Sequence, residues 1–409
     1  MHDNTCKCCL APTIHLIYDF GLMPPVNSYF EKATISEEKS FPLKLYVCKI
    51  CWLLQLGHVP PPSSLFEEYH HVSGASKGNV EHLEKVSEII NKRVKNKPTK
   101  IFEVGCNDGT LLKFLQLFSH EVSGCDPAKN LTPKKELRVY SDFFGVNVAK
   151  KIWAEAGTFD FIVGLNVFAH NADFIDMLKG SAALLTETGT IMIEVAYAPL
   201  TICDGNFDTI YHEHVCSYTL ISLTNVLRNA GLKIYDAEII TTQGGSIRVF
   251  AQHDCNNSII TDNYTDIIER EQEDGLNNLR YYEALQSKIE QKSALINDFL
   301  SDVVRQNRRM LIVGSPARGV VTMNVCGIDV SAQSLVVDDT KEKQGKIMPG
   351  VHIPIFAWED INFSAFEVTL ILSWNYTDSL VDRLRKTDFS GRVFVPFPVL
   401  KEIPYRDLK

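Results

Sequence analysis

Four consecutive residues, Tyr211, His212, Glu213 and His214, put a phenol, two imidazoles and a carboxylate side by side in the stretch D-T-I-Y-H-E-H-V-C-S, Asp208 to Ser217. Imidazole titrates closest to neutrality and can take or give a proton at working pH, while a carboxylate orients it and a phenol donates to a developing oxyanion. Packing has no use for such a cluster; proton transfer does. The spacing is not that of a thermolysin-type zinc site, because H-E-x-x-H sets two histidines four apart on one helical face. A solvated polar loop could carry the same letters, so the weight falls on what the flanking chain supplies.

Lys100 to Leu115, K-I-F-E-V-G-C-N-D-G-T-L-L-K-F-L, reads strand, tight turn, helix. Ile101, Phe102 and Val104 form the strand, Gly105 to Gly109 the turn, and Leu111, Leu112 and Leu115 the buried helix stripe. The middle glycine of G-x-G-x-x-G is replaced by Asn107, and Glu103 and Asp108 bring negative charge to the loop. Acid there repels a pyrophosphate and suits a cation; S-adenosylmethionine carries an ammonium and a sulfonium and no phosphate. The second strand, H-E-V-S-G-C, ends at Asp126, placed to accept the ribose hydroxyls of the adenosine. A buried fourth strand, F-D-F-I-V (159–163), leads into G-L-N-V-F-A-H and sets Asn166 and His170 at the carboxyl edge of the sheet, where open α/β sheets bind ligands. The fifth strand, G-T-I-M-I-E-V (189–195), precedes the reaction-centre stretch.

Upstream, Cys6-Lys-Cys8-Cys9 and Cys48-Lys-Ile-Cys51 form two C-x2-C pairs separated by 38 residues, a spacing that wraps one tetrahedral zinc. Cys6, Cys9, Cys48 and Cys51 are the expected ligands, with Cys8 able to replace Cys9. Four thiolates leave no open position, so the zinc is expected to be structural. F-P-L-K-L-Y-V-C between the pairs alternates as a half-buried strand does, and P-P-P-S-S (60–64) is a stiff linker into F-E-E-Y-H-H-V-S-G-A-S, a polar loop with Tyr69, His70 and His71.

Downstream, Ile259 to about Arg308 recurs at helical spacing without proline, predicting one or two long amphipathic helices. M-L-I-V-G-S-P-A-R-G-V then repeats the strand, glycine turn, helix pattern, now with Arg318 and no acid, as suits an anion at a helix N-terminus. Diphosphate against Gly314, Arg318 and Gly319 is the expectation. S-L-V-V-D-D places Asp338 and Asp339 at the next strand's end, where a ribose can be held, with Lys343 shortly after.

The chain of 409 residues is too long for one core and predicts three domains: 1–80 binding zinc, 81–255 binding S-adenosylmethionine, and 256–409 a second α/β unit. The fold class is α/β, with a small zinc module and two Rossmann-like domains. A hydrophobic content of 45% suits soluble cores, and a net charge of -9 disfavours nucleic acid as a partner. No apolar run of membrane length and no basic-then-apolar leader occurs, so a cytoplasmic protein without a membrane partner is expected, and a monomer. Eleven cysteines, four of them in close pairs, fit metal binding in a reducing compartment better than disulfides.

With these motifs in place, the chain resembles, nearly end to end, the sugar C-methyltransferases that act on nucleotide-linked 4-keto-6-deoxy sugars. Cys6, Cys9, Cys48 and Cys51 match that family's zinc pairs, and E-V-G-C-N-D-G its cofactor loop. Tyr211, Glu213 and His214 match its Y-x-E-H, and His170 the histidine ending its N-V-x-A-H segment. Where the family commonly has Y-x-Y and serine, this chain has Tyr69-His70-His71, so the early active-site position falls to Tyr69 or His71. The resemblance implies an N-terminal zinc domain, a middle S-adenosylmethionine domain and a C-terminal domain that holds a dTDP- or GDP-linked sugar. It implies methylation at C3 in deoxysugar biosynthesis, with C5 left open by the residues. His214 is then the candidate base, Glu213 its orienter, and Tyr211, His170 or Tyr69 the donor to the enolate oxygen. His212 has no matched role and is read as structural. Two competing readings are an O- or N-methyltransferase on a nucleotide sugar, in which the base matters less, and a non-catalytic nucleotide-binding scaffold.

Overall fold

The computed structural model describes residues 5–61, 72–75, 77–131 and 136–404. Tyr69, His70 and His71 lie outside the described residues. The chain folds into two compact units that share it by turns: residues 1–15, 46–200 and 213–281 make the first, and 16–45, 201–212 and 282–409 the second. Two of the crossings fall inside strands, β1 (Ile14–Met23) and β2 (Phe41–Cys48). β2 buries Leu43, Leu45 and Val47 at the expected period of two. None of the described helices is long and apolar enough to cross a membrane.

In the first unit, β3 (Leu54–Leu56) is followed by β4 (Lys100–Val104), β5 (Glu121–Cys125), β6 (Arg138–Tyr140), β7 (Phe159–Leu165) and β8 (Leu185–Ala196). β9 (Cys216–Ser217), β10 (Leu232–Ile240) and β11 (Ser246–His253) complete it. Seven of these form one sheet in the order β10-β11-β8-β7-β4-β5-β6, parallel from β8 to β6 and closed at the other edge by the antiparallel β10–β11 hairpin. The chain order reverses on either side of β4, which opens a crevice beyond its carboxyl end. The helix Thr110–Leu117 runs from that end and buries Leu111, Leu112 and Leu115, the stripe its sequence spacing requires.

The second unit contains most of the helix Leu279–Arg305 and six strands: β12 (Met310–Val313), β13 (Ser334–Val337), β14 (Ile355–Phe356), β15 (Val368–Ile371), β16 (Arg392–Val395) and β17 (Lys401–Ile403). Their order is β14-β13-β12-β15-β16-β17, parallel except for β17, so a second order reversal falls at β12. The expected α/β class and both Rossmann-like sheets are present. Helices Asp262–Glu273 and Leu279–Arg305 account for the helical spacing that precedes β12.

One buried carboxylate in the first unit caps a helix. Glu271 accepts hydrogen bonds from the backbone N–H of Leu220 at 2.6 Å and Ile221 at 2.8 Å, and from the Tyr197 hydroxyl at 2.8 Å. It thereby satisfies the first amides of the helix Leu220–Arg228, whose other cap is a Thr219–Ser222 capping box. Burial pushes the Glu271 carboxyl above the usual range, against the pull of those donors. Glu271→Ala strands three buried donors, each worth about 1–3 kcal/mol. A loss of roughly 3 kcal/mol or more is expected in urea unfolding of the first unit, and an unchanged midpoint contradicts this role.

Candidate functional site

The carboxyl edge of the first sheet collects the residues expected to bind the methyl donor. Gly105 turns the chain at φ 71°, where a side chain would be strained and would press on Val167. Its N–H donates to the Cys125 carbonyl at 2.8 Å. Asp126, one residue past β5, accepts from Asn107 N–H at 2.8 Å and Ala128 N–H at 2.9 Å, one bond per oxygen, so each oxygen keeps a lone pair for a further donor. Asn107 Oδ1 accepts from the N–H of Ser73 at 2.9 Å and so ties the short turn Ser73–Ala75, ahead of the helix Lys77–Arg93, to the loop. Asp108 accepts from the amide and hydroxyl of Thr110, and Gly109, at φ 74°, opens the helix behind it. Asn166 follows β7 at φ 54° and donates its N–H to the Glu194 carbonyl at 2.7 Å.

Glu103 is the unusual member. It is buried, and its Oε2 has no hydrogen-bond partner among the described residues. Burial, then the charges of Asp126 and Asp108, push its carboxyl well above the usual carboxylate range. A buried acid that feels the charge of two more suits a cation, and the donor set fits S-adenosylmethionine: acids for its charged groups and Asp126 for a ribose.

His170 and His214 come together at the same edge, with ring centroids 5.1 Å apart and planes at 40°, both half-buried. Each is placed by the residue beside it. Cys216 N–H donates to the Ala169 carbonyl at 3.2 Å, and Leu56 N–H to the Val215 carbonyl at 2.9 Å. Glu213 is buried next to His214 in the chain. Tyr211 and His212 belong to the second unit and are buried there, His212 with its ring 6.0 Å from that of Phe41.

The four expected metal ligands converge, the sulfurs of Cys6, Cys9, Cys48 and Cys51 lying within 4.8 Å of one another. Cys6 and Cys51 sulfurs are 3.4 Å apart and those of Cys9 and Cys48 3.6 Å, close to the spacing that bonds of about 2.3 Å to one tetrahedral zinc produce. The amides of Cys8 and Ile50 point at the Cys6 and Cys48 sulfurs at 3.4 Å, as donors to thiolates do. Cys8 Sγ instead accepts from Asn229 Nδ2 at 3.2 Å. The cage therefore fits a closed zinc site with Cys9 as ligand.

The second unit repeats the loop geometry of the first. Gly314 turns at φ 85° and donates to the Val337 carbonyl at 2.8 Å. Asp338 accepts from Ser315 N–H at 2.7 Å and Thr340 N–H at 2.8 Å, the same two bonds that Asp126 accepts. Gly319 lets its helix approach Leu372. Lys343 donates to the Ser315 carbonyl at 2.8 Å and lies 3.7 Å from Asp338, and burial lowers its ammonium below the usual range. Asp339 pairs with Arg383 at 2.5 Å. Arg318 makes a two-pronged pair with the fully buried Asp208 at 2.9 and 3.1 Å, and lies over the Trp374 ring, whose Nε1 donates to the same carboxylate. Its charge is committed within the protein, which leaves Lys343 and the first amides of the helix Ala317–Cys326 as the donors nearest the turn.

Sequence reasoning missed Asp208, and it missed Glu194. The latter, 1% exposed at the end of β8, accepts from Arg248 Nε at 2.5 Å and contacts His82 Nε2 at 2.7 Å. A single acid inside the apolar strand I-M-I-E-V was the available signal. Its cross-strand partner Arg248 is set by the β8–β11 register.

Three family profiles match the chain in succession: a zinc binding domain over residues 6–66, a methyltransferase domain over 77–237, and a C-methyltransferase C-terminal domain over 241–398. The C-methyltransferase NovU of Streptomyces niveus is 29% identical over 97% of this chain and 96% of its own. Among solved structures, the magnesium protoporphyrin IX methyltransferase ChlM of Synechocystis PCC 6803 with bound SAM matches 43% of this chain and 80% of its own, at 13% identity and a TM-score of 0.32. The CcbJ methyltransferase of Streptomyces caelestis matches 47% and 99%, at 10% identity and a TM-score of 0.36. Likeness at that level adds nothing about the acceptor.

Two outcomes follow from this geometry. Metal analysis should find one zinc per chain, lost in Cys9→Ser and retained in Cys8→Ser; the reverse pattern would exchange the ligands. Glu103 retains a proton at pH values where an ordinary glutamate has lost it, and a bound cation favours its ionised form. S-adenosylmethionine binding should therefore release a proton and tighten as pH rises from the ordinary carboxylate range towards the raised value, then level off. Calorimetry in buffers of different ionisation heat reads that release. It should vanish in Glu103→Gln, with affinity down about 10-fold or more, and release persisting in the variant would clear Glu103 of the role.

Proposed function

Because the chain belongs to the C-methyltransferases that carry a zinc-binding domain, and takes its methyl group from S-adenosylmethionine, we propose that it methylates C3 of a nucleotide-linked 4-keto-6-deoxy sugar in the synthesis of branched deoxysugars. The observation that carries this reading is the His170–His214 pair, two half-buried imidazoles 5.1 Å apart at the ligand edge of the cofactor sheet. An oxygen or nitrogen acceptor brings its own lone pair, whereas carbon must first lose a proton. A base among the side chains that meet the acceptor is what that difference requires, and the imidazole pair supports that reading.

In this reading the acceptor's C4 carbonyl acidifies the neighbouring C–H, and His214 takes the proton while the C–H electron pair moves into an enolate. Tyr211, His170 or Tyr69 donates to the enolate oxygen, where charge builds up. Glu213 orients the imidazole. S-adenosylmethionine, when bound, supplies an electrophilic methyl on a sulfonium, so the carbon–carbon bond forms as the carbon–sulfur bond breaks and the ketone returns. His214 then passes its proton to water. The nucleotide, dTDP or GDP, is assigned to the second glycine turn, because Asp338 repeats there the two backbone bonds that Asp126 makes at the first. Lys343 and the first-turn amides of the helix Ala317–Cys326 are the diphosphate donors in this assignment, and Arg318 supports the loop through Asp208.

The test uses purified protein, S-adenosylmethionine and dTDP- or GDP-linked 4-keto-6-deoxyhexoses, with the product's new C–CH3 located by NMR. A methyl at C5 would move the proton to be abstracted, and a methyl on oxygen would defeat the proposal. His214→Gln should lower kcat by about 100-fold or more, the usual scale for a positioned acid-base group. Affinity for S-adenosylhomocysteine should stay within about twofold. An unchanged kcat removes His214 from the chemistry.

A further inference from the structure

The zinc cage and the imidazole pair belong to the same unit, and one buried amide lies on the route between them. β3, the strand L-Q-L, starts three residues after the last zinc ligand and is buried throughout. A third leucine would serve packing at its centre; the chain instead has Gln55, 1% exposed. Its side-chain oxygen accepts from Lys7 N–H at 2.8 Å, and its amide donates to the Thr5 carbonyl at 3.0 Å. Those two residues flank Cys6. Its backbone pairs in register with Cys216, and the next residue, Leu56, donates to the Val215 carbonyl. Val215 adjoins His214, and Cys216 in turn donates to the carbonyl of Ala169, which adjoins His170.

We propose that Gln55 is a positioning residue, holding His214 and His170 in register with the cysteine cage. The side chain fastens the first zinc knuckle to β3, and β3 fastens β9. Each histidine is one residue from a carbonyl that this ladder holds. Other bonds brace the same junction: Asn229 Nδ2 reaches Cys8 Sγ at 3.2 Å and the Cys8 carbonyl at 3.4 Å, and Asn225 Nδ2 the Cys51 carbonyl at 3.5 Å. The cofactor loop 103–109 takes no part in this chain of contacts. Its ligand affinity should therefore be indifferent to what moves the imidazoles. The catalytic meaning of the inference rests on the assignment of His214 as base, but the geometry can be read without it.

The experiment follows the imidazole carbon–proton signals of the full-length zinc protein labelled at histidine. His170 and His214 are assigned from their glutamine variants, and His120, elsewhere in the same unit, is the reference. Gln55→Leu should retain one zinc per chain and bind S-adenosylhomocysteine within about twofold of the parent, while the His170 and His214 signals shift or broaden and His120 stays. Gln55→Glu, which keeps the acceptor for Lys7 N–H, should displace them less. Unchanged His170 and His214 signals in Gln55→Leu overturn the proposal. Loss of zinc, or equal movement of His120, overturns it too, because the effect would then be general. Should Gln55→Leu not fold, titrating zinc into chelator-stripped parent protein gives the same decision: the two signals reach their final positions at one equivalent, or the coupling is absent. A His214→Gln variant with full kcat would sink the base assignment and leave these signals as they are.

Discussion

Backbone pairing between a three-residue strand and a two-residue strand holds the candidate chemistry in place. β3 and β9 share only the pairs Leu54–Ser217 and Gln55–Cys216, with Leu56 extending the contact to Val215. Short strands contribute little by themselves, so each must be made rigid by something else. β3 is stiffened by the cage three residues upstream, where four sulfurs close a loop of more than forty residues. β9 is held by the Ala169 carbonyl on one side and the capped helix Leu220–Arg228 on the other. The zinc thus stabilises a small module with little core of its own and at the same time defines a fixed edge against which a reactive stretch can be set.

A second constraint runs through both units: acids removed from water must be matched. Glu194 finds Arg248 and His82, Asp208 finds Arg318 and Trp374, and Glu271 finds a helix N-terminus and a tyrosine hydroxyl. Breaking any of these leaves an uncompensated buried charge, which costs far more than an exposed pair contributes. Against that background Glu103 stands out, being equally buried but with an oxygen that has no partner among the described residues. Among the described residues its other buried acids named above are matched, and the one with an open oxygen lies at the end of the strand that leads into the glycine turn.

What could be read from the sequence was local. The C-x2-C pairs, the glycine turn with Glu103 and Asp108, and the apolar stripe of Leu111, Leu112 and Leu115 depend on neighbours a few residues away, and all are present as expected. Arg318 shows where that reach ends. On a glycine turn without acids it reads as an anion ligand, yet its partner Asp208 lies 110 residues upstream and no local pattern announces it. Glu194 and Arg248 meet only through strand register, and β9 is too short to leave a periodic signal. The chain's repeated crossing between units was equally invisible, because each crossing falls within an ordinary strand, helix or loop.

The central claim is that this protein makes carbon nucleophilic by removing a proton with His214. Hydrogen exchange in D2O tests it most directly, with S-adenosylhomocysteine in the cofactor site so that deprotonation proceeds and methylation does not. The proposed keto-sugar acceptor should gain deuterium at the carbon beside its carbonyl, and His214→Gln should slow that gain by about 100-fold or more while still binding both ligands. Exchange equally fast in parent and variant would contradict the account.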